Sequence, residues 1–164
     1  MNDAVILERS KRLANHAIWT VMLQWRRIRS SEPEDSEFML RWWADLQFFI
    51  VSLYRLLTAV KIALNVSDSK ISSSIKDGIR EFDKAIPDLK KLRDIGEHID
   101  AYAIDDPKRH KLEVGRKQLE VGSWDGTTYE WLGVKLKVDD AKLAANELFK
   151  TLLVVYRSLP KAKT

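Results

Sequence analysis

With 164 residues, 45% of them hydrophobic and 32% charged, the chain has the length and balance of a single helix-rich globular domain spanning 1–164. The lack of cysteine excludes a disulfide framework, a thiolate nucleophile and a zinc–thiolate site. Three scattered histidines (His16, His98, His110) speak against a multi-histidine metal centre, so no metal or cofactor is expected. The net charge of +4 is a mild basic excess, compatible with a phosphate-bearing partner.

The first helix is predicted over about residues 3–29. Leu7, Ala14, Ile18, Val21, Trp25 and Ile28 recur at spacings of three, four or seven, and arginines and Lys11 occupy the other faces. The apolar run 4–7 is too short for a secretory leader and charges follow at once, so none is expected. His16 lies near the apolar stripe and reads as a structural histidine. Residues 30–36, with Pro33, form a loop, after which Asp35 or Ser36 offers a cap for the next helix.

The tract 38–64 has the cleanest period in the chain. Met39, Trp43, Leu46, Ile50, Leu53, Leu57, Val60 and Leu64 make one stripe, and Trp42, Phe49, Leu56 and Ala63 a second. It is long enough to span a bilayer, but Arg41, Asp45, Arg55 and Lys61 interrupt it. The expectation is a helix of a cytoplasmic protein with no membrane partner, central in its bundle or at a subunit interface, carrying Arg41, Asp45, Ser52 and Arg55 as a thin polar line. Ser67-Asp68-Ser69 then caps a helix with Ile71, Ile75, Ile79 and Phe82 inward, and Pro87 marks a kink or short break. Leu89, Leu92, Ile95 and Ile99 form the stripe of the next helical segment, which ends at 105–110.

Beyond it the pattern turns to strands. Leu119 and Val121, and then Leu132, Val134, Leu136 and Val138, alternate with polar positions around Asp125-Gly126, which predicts a β-hairpin over about 112–138. Trp124, Tyr129 and Trp131 form an aromatic face on it that either packs the ribbon down, the favoured reading, or stacks bases. A last helix begins at Val138-Asp139-Asp140, with Leu148, Leu152, Val155, Tyr156 and Leu159 inward. The fold class is therefore all-α, a four- to five-helix bundle with a β-hairpin inserted before the last helix.

The densest chemistry lies in LKKLRDIGEHIDAY, residues 89–102. On one regular helix, positions four apart are neighbours, so Asp94, His98 and Tyr102 line up and Arg93 sits over Glu97. Asp94 could then orient or charge-stabilise His98, with Tyr102 on the ring's other side. An imidazole suits proton transfer near neutral pH, and a guanidinium suits a phosphate and the charge of a phosphoryl transition state. Together they fit metal-independent RNA cleavage through attack of the 2′-hydroxyl. One arginine and one histidine are a thin set, which points to a homodimer presenting two copies. The basic cluster holding Lys108, Arg109, Lys111 and Arg116 is a candidate RNA-backbone track, or a solvated loop.

An arginine followed by a polar residue, then a histidine after four intervening positions, late in a small helical bundle, resembles the HEPN superfamily. Its motif is Arg, four to six residues, His. The resemblance implies that Arg93 and His98 are the motif pair and Asp94 the polar position. It implies a metal-independent endoribonuclease acting as a toxin or defence component, commonly dimeric, with an antitoxin protein as a possible partner. Arg9 and His16 also satisfy the pattern, but on the first helix, where that motif is out of place. One toxin branch carries Tyr two positions after the His; here that position is Asp100, and Tyr102 is four on. Two other readings stand beside this one: a non-catalytic interaction module whose Arg93–Glu97 and Asp94–His98 pairs are only a solvated helix face, and a small-molecule-binding bundle.

Overall fold

The computed structural model describes residues 2–30, 41–104, 106, 119 and 122–158. Six α-helices are found among them: α1 (Asp3–Arg29), α2 (Arg41–Lys61), α3 (Ser69–Ala85), α4 (Leu89–Glu97), α5 (Ile99–Ala103) and α6 (Val138–Arg157). A 3-10 turn at Ile62–Asn65 extends α2, and strands β1 (Gly122–Trp124), β2 (Thr128–Trp131) and β3 (Val134–Lys137) precede α6. The chain is thus mostly helical with a small antiparallel sheet before its last helix. Met39, Val121, Leu159, residues 31–36 of the expected loop with its cap, and Lys108, Arg109, Lys111 and Arg116 lie outside the described residues.

The amphipathic stripes set the packing. α1 lies lengthwise against α2 and α6, α3 against α6, and α4 against α2. Their apolar faces merge into one cluster that includes Leu7, Val21, Phe49, Leu53, Ile75, Leu92 and Leu152. The Arg41–Asn65 stretch is long and apolar enough to cross a membrane by length and composition, and 56% of its most apolar window is buried inside the fold. The ends follow local chemistry. Asn2 accepts from the Ala4 N–H to cap α1, and Asp68 accepts from the N–H groups of Lys70 and Ile71 to cap α3. The break between α3 and α4 falls at Pro87, as predicted, with Asp88 left-handed at φ 62°.

Four expectations are corrected or sharpened. First, the thin polar line of α2 is partly internal. Ser52 is buried, and Asp45, 3% exposed, is held by Arg27 Nε at 2.7 Å and by Arg41 at 3.8 Å. The spacing showed where Asp45 faces but not that two arginines close over it. Second, residues 89–102 are not one helix. His98 has φ −117° and ψ 29°, and its N–H is shared between the carbonyls of Asp94 and Ile95, which ends α4. The break reorients α5 relative to α4, so Ala101 and Tyr102 enter the core while Ile99 is 45% exposed. This break and the one at Pro87 bring the count of helices among the described residues to six, against an expected four or five.

Third, the hairpin is a three-stranded meander in the order β1-β2-β3. Trp131 pairs with Val134, leaving Leu132 and Gly133 as a two-residue turn with φ 55° and 75°. A two-residue turn keeps the in–out parity, so Leu132, Val134, Leu136 and Val138 are all buried on either topology. Alternation alone therefore cannot reveal it. Asp125-Gly126 does lie in a turn, but one longer than two residues, between the paired Trp124 and Tyr129. There the Asp125 carboxylate accepts from the N–H groups of Thr127 and Thr128. Fourth, His16 is exposed rather than part of the core.

Candidate functional site

α4 supplies the motif arginine. Burial of Leu89, Leu92 and Ile95 seats α4 on α2, and Gly96 allows close approach: a Cβ there would lie 2.9 Å from Gln47 Oε1. One turn earlier, Arg93 is carried to the edge of α2, its guanidinium 4.7 Å from the centre of the Tyr54 ring. Arg93 Nη1 donates to Asp94 Oδ1 at 2.8 Å, and Nη2 meets Glu97 Oε2 at 2.5 Å. The hydrogen bond to Asp94, with the charges of Glu97 and Asp94, raises the guanidinium above its usual pKa, so it is a permanent cation. The predicted Arg93–Glu97 pair is present.

The predicted line of Asp94, His98 and Tyr102 is not. Asp94 meets His98 through its backbone carbonyl, and among the described residues no hydrogen bond joins its carboxylate to the imidazole. His98 is solvent-exposed at the α4–α5 junction. Tyr102, 3% exposed, packs in the core. The sheet aromatics also pack. Tyr129 and Trp131 meet Trp43 of α2 edge to face at 5.6 and 5.5 Å. Burial pushes the Tyr129 hydroxyl far above its usual pKa, although the hydrogen bond from Gln47 works against that shift. Trp131 Nε1 donates to the Leu119 carbonyl. These rings pack the sheet onto the core, as the favoured reading has it.

On the other side of Arg93 a groove of about 480 Å³ opens between α1 and α2. His16 and Thr20 of α1, Tyr54, Arg55 and Thr58 of α2, and Arg93 of α4 line it together with Leu13, Ala17, Ala59 and Ile62. Among the described residues no carboxylate belongs to this lining, although Asp94 and Glu97 hold Arg93 from outside it. His16 and Arg55 are site residues that the sequence reading did not assign. The groove does not include His98, so within one chain the two motif residues do not line it together. Among the described residues no group of three or more His, Cys, Asp or Glu side chains is arranged to hold a metal ion.

What this arrangement can do is bind an anion: two guanidinium groups and one imidazole face a common space, with hydroxyls at its wall. Comparison with protein-family models, with curated proteins and with solved structures gives no match to this chain.

Proposed function

We propose that the chain cleaves RNA without a metal in the manner of the HEPN-like nucleases it resembles, as a cytoplasmic toxin or defence component. The observation that supports this most is the placement of Arg93, the motif cation, on the wall of a groove that it lines with a second arginine and an imidazole, with no Asp or Glu among the described lining residues. In this reaction a base takes the proton of the 2′-hydroxyl and the 2′-oxygen bonds to phosphorus. The bond to the 5′-oxygen then breaks, and that oxygen takes a proton from an acid. Arg93 would hold the phosphate and its growing charge, and His98 would move the proton. Because His98 lies outside the groove that holds Arg93, the reading includes a homodimer in which His98 of one copy reaches Arg93 of the other.

Arg93→Ala and His98→Ala are each expected to lower RNA cleavage by about 100-fold or more at unchanged melting temperature. Mixing the two inactive variants supplies the test of geometry. If sites form across a twofold axis, half of the dimers are mixed and each carries one intact site, so activity returns to about a quarter of the wild-type value. No recovery on mixing would end the dimer reading, and intact RNA with the wild-type chain would end the nuclease reading. A second reading, a binding module that does not cleave, is favoured by the two carboxylates already engaged by Arg93. It predicts RNA binding with no cut.

A further inference from the structure

We infer that a single-stranded nucleic acid binds along the α1–α2 groove beyond Arg93, with its phosphates on Arg55, His16, Arg12 and Arg9 and a base on Trp19. The inference extends the RNA reading to a defined track but stands on its own geometry. The groove at Arg93 adjoins a larger one of about 930 Å³ that shares Leu13, His16 and Ile62 and adds Arg9 and Arg12. Among the described residues neither lining contains an aspartate or glutamate. Four arginines and one histidine therefore line these two adjoining grooves with no acidic residue among the described lining, although Asp94 and Glu97 reach Arg93 from outside it and the chain as a whole carries 24 acidic residues against 28 basic ones. Such segregation is the electrostatic footprint of a polyanion site.

The second observation separates a nucleic acid from an acidic peptide. Arg12, His16 and Trp19 follow one another at steps of four and three along a single line of α1, and all three are exposed. Trp19 is 72% exposed, a large aromatic face left to solvent at the end of a cationic row. Cations that track phosphates, joined to an open ring on which a base can stack, are the parts of a single-strand binding surface. Of the Arg9 and His16 match to the HEPN pattern, His16 lines both grooves, while Arg9 lines only the larger one and Arg93 only the smaller.

The test uses the full chain and a fluorescent single-stranded DNA of about 12 nucleotides, which lacks the 2′-hydroxyl and so reads binding apart from cleavage. Arg12→Gln with Arg55→Gln is expected to flatten the dependence of log affinity on log salt by about 1.4. Lys84→Gln with Lys150→Gln, on α3 and α6 outside both linings, makes the same change in net charge and is expected to leave the salt dependence unaltered. Trp19→Ala is expected to weaken binding about 5- to 150-fold, the range of one lost stacking contact. All of these side chains are exposed, and unchanged helicity and melting temperature would confirm that the fold is intact. The track is overturned if both charge pairs act alike, if Trp19→Ala binds like wild type, or if a polyglutamate peptide binds as tightly as the DNA. DNA binding on these residues with RNA left intact would instead end the cleavage reading and leave the track standing.

Discussion

Arg93 is a contested cation. Its guanidinium is shared among Asp94, Glu97 and the face of Tyr54, so an incoming phosphate has to compete with two carboxylates already in place. Partly exposed pairs of this kind contribute up to about 1 kcal/mol each. Replacing Asp94→Asn and Glu97→Gln together is therefore expected to raise oligonucleotide affinity about 3- to 10-fold. If the carboxylates also position Arg93 for chemistry, RNA cleavage falls while binding rises. Titrations beside single-turnover rates would show that split, and weaker binding in the double variant would refute the competition. The pairing with Glu97 was legible because helix spacing is local, whereas the meeting of Arg93 with His16 depends on how α4 and α1 flank α2.

At the scale of elements, the sheet docks through one glycine. A Cβ on Gly122 would lie 2.1 Å from Cζ3 of Trp43, far inside van der Waals contact, and Trp43 is wedged among Trp42, Tyr129 and Trp131. Gly122→Ala is expected to cost about 1–3 kcal/mol in denaturant unfolding, with part of the loss recovered when Trp43→Leu makes room. No loss would show that the sheet yields freely at this contact. The sequence placed strand residues here and foresaw that the aromatics pack, but not the close approach, which depends on α2 rather than on neighbours in the chain. The His98 break was hidden for a related reason. The stripe Leu89, Leu92, Ile95, Ile99 continues unbroken through a junction that the core reorients around Tyr102.

Across the molecule, carboxylates tie distant parts together. Asp139, at the start of α6, accepts from Trp25 Nε1 at 2.8 Å and pairs with Arg29, and Arg29 also donates to the Gly126 carbonyl at 2.7 Å. The hydrogen bond from Trp25, with the charge of Arg29, holds the Asp139 carboxyl below its usual range. Backbone donors do the same for Asp3, chiefly Ser67, and for Asp125, chiefly Thr128. A pKa lowered by folding stabilises the fold above the unfolded value, about 4, and that contribution is lost as pH falls through the folded value. The melting temperature is expected to drop as pH is taken from 5 toward 2, about the range in which such carboxylates take up protons. Asp139→Asn is expected to shallow that drop, and an identical pH profile would show that the tie contributes nothing. The helical class and most helix ends were readable from capping and periodicity, which are local. These ties were not, because their partners are far apart in the chain.

The same ties fasten α1 at both ends. Asp3 accepts from the N–H groups of Ser67 and Asp68 at one end, while Arg29 grips the sheet turn and α6 at the other. Between them, Ser10 Oγ donates to the Ala59 carbonyl and stitches α1 to α2 beneath the groove. A rod pinned at its tips and stitched once between them resists swinging, so the groove it walls is shaped in advance. On the proposed reading, an oligonucleotide docking there would then lose little conformational entropy in the protein, and selectivity would rest on fit to a fixed surface rather than on closure around a guest.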